Sequence, residues 1–89
     1  MQDEVTIRIR YLSALRDATK MRAEEVRFHA GASLRDVSGW LAGRYGITVP
    51  GPSVMSTLNG QGWSQTPHGL ETRLQERDEI ALFPLLSGG

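Results

Sequence analysis

Few of the 89 residues in this chain could do chemistry by themselves. There is no cysteine, which excludes disulfides, thiolate metal sites and thiol nucleophiles. The only histidines, His29 and His68, have no partner at metal-ligand spacing, and His29 falls at an outward position of a candidate strand, where a solvated ring is expected. Asp17, Glu24 and Glu25 read as ordinary surface charges, and Asp78-Glu79 as a turn signal ahead of a strand. Gly60 and Gly62 lack the strand–loop–helix setting of a phosphate cradle. The interior thus presents no acid–base pair, no cofactor site and no metal site.

The C-terminus is different. Gly88-Gly89 closes the chain soon after a strongly apolar strand, without the polar fraying usual at domain ends. Leu85 and Leu86, just before it, are apolar residues that the domain cannot easily bury. Glycine has no Cβ, so such an end can adopt backbone angles closed to other residues and pass through a narrow channel. At roughly 3.3 Å per extended residue, Pro84 to Gly89 reach about 20 Å, enough to carry a carboxylate into the active site of another protein. The bland alternative is a chance pair in a chain with ten glycines.

The elements that would position this tail can be read from periodicity. Val5, Ile7, Ile9 and Tyr11 alternate with polar residues, predicting a half-buried strand. Ser13 to Lys20 fits a short helical turn with Leu15 inward, and Val26 and Phe28 mark a second strand that ends at Gly31. Ser33 is a good N-cap, with Asp36 placed as the acidic half of a capping box. Leu34, Val37 and Leu41 follow at helical spacing, Trp40 flanks them, and Gly46 is the expected stop. Pro50-Gly51-Pro52 breaks the chain, Val54 to Leu58 reads as a strand, and Asn59-Gly60 as a turn. Residues 61–77 read as an irregular excursion, and Ile80 to Phe83 as the last strand.

Two strands, a helix and two further strands form an α+β layer arrangement, one main helix packed across a mixed sheet. The order fits a ubiquitin-like β-grasp, with first and last strands side by side and parallel, although other small α+β sandwiches share it. The length allows one core, so residues 1–83 are taken as the domain and 84–89 as an extended tail. Ten basic and ten acidic residues cancel, which argues against nucleic acid as a partner. No apolar run approaches a membrane span and Met1 to Glu4 lack signal-peptide character, so a cytoplasmic location is expected.

The segment Asp78-Glu79-Ile80-Ala81-Leu82-Phe83-Pro84, closing on Gly88-Gly89, resembles the end of the small subunit of molybdopterin synthase and its sulfur-carrier relatives, including the thiazole-synthesis carrier (the MoaD/ThiS family). Leu12 to Asp17 and Leu58-Asn59-Gly60 extend the likeness, while Leu85 stands where the family commonly has a second proline. The resemblance implies that Gly89 is adenylated by an E1-like adenylating enzyme using ATP, then converted to a thiocarboxylate by a sulfur donor. Gly88 would keep the tail slim. The chain would then act as the sulfur-donating subunit beside the large subunit of a molybdopterin synthase, holding no bound cofactor and no catalytic groups of its own.

A carrier of this kind needs a docking face. By strand alternation Leu12 and Phe83 point away from the helix-covered side, while Ile9, Tyr11, Ile80 and Leu82 point toward it. The resemblance makes Phe83 and the Pro84, Leu85, Leu86 and Ser87 that follow it partner contacts. Trp63 is a further candidate contact, the alternative being a loop tryptophan folded back over the core. Three competing functions share these residues: a carrier for thiazole, cysteine, tRNA thiolation or secondary metabolism; a protein modifier joined through Gly89 to target lysines; and a plain binding module. A ferredoxin is excluded, because its cluster needs cysteines.

Overall fold

In the computed structural model, which describes residues 3–85, the chain runs through β1 (Glu4–Tyr11), α1 (Ala14–Thr19), β2 (Ala23–His29), α2 (Leu34–Tyr45), β3 (Val54–Leu58), β4 (Gln61–Gly62) and β5 (Glu79–Pro84). Two short 3-10 turns, Trp63–Gln65 and Gly69–Glu71, lie between β4 and β5. Among the described residues the sheet order is β2-β1-β5-β3-β4. β1 and β5 are parallel, with Ile9 opposite Ile80 and Tyr11 opposite Leu82, and the other pairings are antiparallel. The expected juxtaposition of first and last strands is therefore present, and both strands finish at the same end of the sheet.

Helix α2 starts and stops where its caps direct. The Ser33 amide donates to Asp36 Oδ2 at 2.8 Å, the acidic half of the capping box. Gly46 at φ 70° closes the helix in the left-handed region, its amide reaching the carbonyls of Ala42 and Leu41. Leu34, Val37 and Leu41 turn one stripe onto the sheet and are fully buried against Ile7, Ile9, Ile80 and Leu82. Each such side chain contributes about 1.5–3 kcal/mol by leaving water. Burial on one sheet face also pins register, since a slip of one residue would carry every apolar side chain to the other face.

The excursion between β4 and β5 is more structured than its polar composition suggests. Asn59 at φ 51° and Gly60 at φ 88° turn β3 tightly into β4. Trp63 and Leu74 then fold back into the core, and buried Thr66 donates its hydroxyl proton to the Trp63 carbonyl at 2.7 Å. Few large apolar residues are available to so small a chain, and the core recruits two from this excursion.

Glu24 corrects a second expectation. It shares the inward parity of Val26 and Phe28, so β2 directs it under the end of α2 rather than into solvent. There its Oε2 accepts the hydroxyl protons of Tyr11 and Tyr45, each at 2.6 Å. The two rings meet edge-on at 5.7 Å, Trp40 joins Tyr45 at 5.9 Å and Phe28 at 6.2 Å, and the Arg44 guanidinium lies over Trp40 and Tyr45. Burial, then the Glu24 carboxylate, holds the Tyr11 phenol far above its ordinary value of 10.0. Because the folded value is raised, this group's contribution to stability is complete below pH 10.0 and is lost as pH climbs from there toward the folded value. Denaturant melts at increasing pH are expected to show unfolding free energy falling above that point, with a shallower fall in Tyr11→Phe. Equal slopes in the two proteins would contradict the assignment.

Candidate functional site

Helix α2 covers one face of the sheet and leaves the other open. At one end of the open face β1 and β5 present charge: Arg8 stands opposite Glu79 in the pairing, and Arg10 meets the Glu79 carboxylate at 3.6 Å. At the other end, where β5 finishes, the surface becomes apolar. Phe83 is half-buried and sits opposite Met55 of β3, which is 42% exposed. Leu12 continues β1 by one residue, its amide donating to the Leu82 carbonyl at 3.0 Å. Its neighbour Tyr11 is buried, which leaves Leu12 on the Phe83 side.

Sheet pairing continues past the boundary expected at residue 83. Pro84 is the last residue of β5 and pairs with Val54, and the Leu85 amide donates to the Ser53 carbonyl at 2.9 Å. The Leu85 side chain is 54% exposed. The start of the tail is thereby held against β3, on a rigid element. Leu86, Ser87, Gly88 and Gly89 lie outside the described residues.

Of the contacts expected from sequence, Leu12, Phe83, Pro84 and Leu85 thus come together at one corner of the sheet. Trp63 does not join them: it is 4% exposed, on the core side of the molecule. An indole carries more apolar area than an open loop can leave in water, so the fold retains it. Met55 was missed. Its outward position in Val54–Leu58 was readable by alternation, but only the β3–β5 register shows that it faces Phe83.

Among the described residues no three His, Asp or Glu side chains converge to hold a metal ion. Nor is any helix among them long and apolar enough to cross a membrane. A sheet face with an apolar corner beside the end of the last strand can bind and orient a partner surface.

A helix laid across a mixed sheet whose first and last strands are parallel neighbours defines the ubiquitin-like β-grasp. Solved structures agree on the fold. A Haloferax volcanii protein, HVO 2177, superposes with a TM-score of 0.80 at 22% identity, covering 100% of this chain and 91% of the other. Small archaeal modifier protein 1 from Methanosarcina acetivorans gives 0.77 at 23% identity, covering 99% and 100%. A putative molybdopterin converting factor, subunit 1, from Pyrococcus furiosus gives 0.75 at 20% identity, covering 92% and 99%. No curated protein matches. The ThiS family model matches residues 9–89, and the chain belongs to the ThiS family, whose fold is that of ubiquitin-like sulfur carriers and modifiers.

Proposed function

We propose that this protein is a sulfur carrier that is adenylated and then thiocarboxylated at Gly89, and that it delivers the sulfur to a molybdopterin precursor. The observation that carries this reading is the family match itself, which continues through the terminal Gly88-Gly89. A carboxylate is a poor electrophile. Transfer of AMP from ATP to the Gly89 carboxylate, with release of pyrophosphate, creates a mixed anhydride with a good leaving group. A sulfur nucleophile then displaces AMP to leave the thiocarboxylate. In this scheme ATP belongs to an E1-like adenylating enzyme, the sulfur comes from a separate donor, and the loaded tail enters the large subunit of a molybdopterin synthase. The site of action is cytoplasmic. The corner formed by Leu12, Met55, Phe83 and Leu85 is the docking face, apolar enough to anchor a partner beside the tail. The likeness to a putative molybdopterin converting factor subunit is what supports this pathway, with thiazole, cysteine and tRNA thiolation as the alternative acceptors.

Intact mass measured after incubation with an adenylating enzyme, ATP and a sulfur donor should rise by the difference between sulfur and oxygen. A thiol-alkylating reagent should then label the chain, although it contains no cysteine. An unchanged mass under conditions that load another family member would reject the carrier reading. The likeness to an archaeal modifier protein favours a second reading, conjugation of Gly89 to lysines of other proteins. High-mass adducts on immunoblots of native cells, in place of thiocarboxylate, would select it.

A further inference from the structure

Although the chain's formal charge is zero, five of its ten basic residues gather at one corner. Arg8 and Arg10 alternate with buried Ile7 and Ile9, which turns them onto the open sheet face. Arg16 lies on α1, Lys20 is its C-cap, and Arg22 leads into β2. A groove of about 260 Å³ is lined by Arg8, Arg10, Arg16 and Arg22, with Leu12 at its edge and no carboxylate in its wall. A second hollow of about 410 Å³ shares Arg16 and Arg22 and adds Lys20, against one acid, Asp17. Among the described residues, the one ion pair these five cations make is Arg10 with Glu79 at 3.6 Å.

We propose that this groove receives the carboxylates of an acidic segment on the protein that docks at the base of the tail. Leu12 belongs both to the groove wall and to the apolar corner with Phe83 and Met55, so the two surfaces are continuous. A partner presenting a leucine- or phenylalanine-bearing face bordered by Asp and Glu would satisfy both at once. The cations are exposed, only Arg10 among them makes an ion pair within the described residues, and carboxylate forks match guanidinium geometry. Such an arrangement steers encounter and fixes orientation more than it adds raw affinity. A nucleic-acid backbone fits less well. The chain lacks the net positive charge of a nucleic-acid binder, and phosphate has no use for the adjoining apolar corner.

This inference uses the proposed carrier role only to say which protein brings the acidic segment; the groove can be tested without the tail chemistry. The full chain, labelled with nitrogen-15, is titrated with a short peptide of mixed Glu and Leu, with its Gln-for-Glu counterpart, with a single-stranded RNA oligonucleotide and with inorganic phosphate. The Glu peptide is expected to shift the amides of Arg8, Arg10, Leu12, Arg16 and Arg22, with affinity that declines as salt rises. The double variant R16E/R22E should weaken it at least about tenfold, whereas Arg73→Glu, exposed and outside the groove, should leave it unchanged. Should the double variant lose its fold, Arg16→Gln and Arg22→Gln singly are expected to show smaller losses in the same direction. Equal binding of the Gln peptide, tighter binding of RNA or phosphate, or shifts away from these residues would overturn the proposal, as would no binding at all. None of these results bears on mass gain at Gly89, which reads the carrier function separately.

Discussion

Deletion of Gly89, or capping of its carboxylate as an amide, is expected to abolish ATP-dependent activation while the melting temperature stays where it was. The two halves of that result have separate causes. Adenylation requires a free main-chain carboxylate, and without one there is no acceptor for AMP. The fold, in contrast, does not draw on Gly89 for its core: among the described residues every buried apolar side chain lies from Ile7 to Leu82, and the last pairing is the Leu85 amide on Ser53. Gly88→Val should also impair activation, because a β-branched side chain both restricts the backbone and widens a segment that must enter a narrow channel. Pyrophosphate release, assayed beside thermal melts of the same samples, reads both halves. Undiminished pyrophosphate release from the amide-capped chain would remove Gly89 from the mechanism.

The second large effect separates the two faces of β5. Leu82 is fully buried between β1 and α2, so Leu82→Ala should cost about 2–5 kcal/mol of stability, the range for a cavity left by a lost core leucine. Phe83, its neighbour, turns to the open face beside Met55 and should cost no more than about 1 kcal/mol when cut to alanine. Partner affinity should respond in the opposite order. Phe83→Ala should weaken binding to the adenylating enzyme by roughly 1–3 kcal/mol, as for an aromatic anchor near an interface centre. Met55→Ala should reproduce a fraction of that loss, since its side chain extends the same patch. Urea melts and binding isotherms on these proteins form the check. If Phe83→Ala unfolds the domain as severely as Leu82→Ala, the docking face has been assigned to the wrong residues.

Much of this architecture was legible in the residues themselves, because the signals were local. Alternation over Val5–Tyr11 depends on a period that any strand imposes, and the Ser33–Asp36 cap and Gly46 stop depend on a single helix end. The outward placement of Phe83 and inward placement of Leu82 followed from the same parity.

Wherever tertiary partners set the environment, local pattern was insufficient. Glu24 has the charge of a surface residue and the parity of a core one. It is tolerated inside because two tyrosine hydroxyls, from β1 and from the end of α2, arrive to bond it. Trp63 lies in a polar stretch with no periodicity to orient it, and it is buried because the core needs its area more than the loop needs its exposure. Met55 became part of the docking corner only through the β3–β5 register, and the cationic groove only when β1, α1 and the start of β2 brought residues from 8 to 22 side by side. The sequence by itself determined the main elements and their faces, since each is encoded within a few neighbouring residues. Tertiary structure alone decided which exposed side chains share a surface and which polar groups are bonded inside, because those depend on distances between segments far apart in the chain.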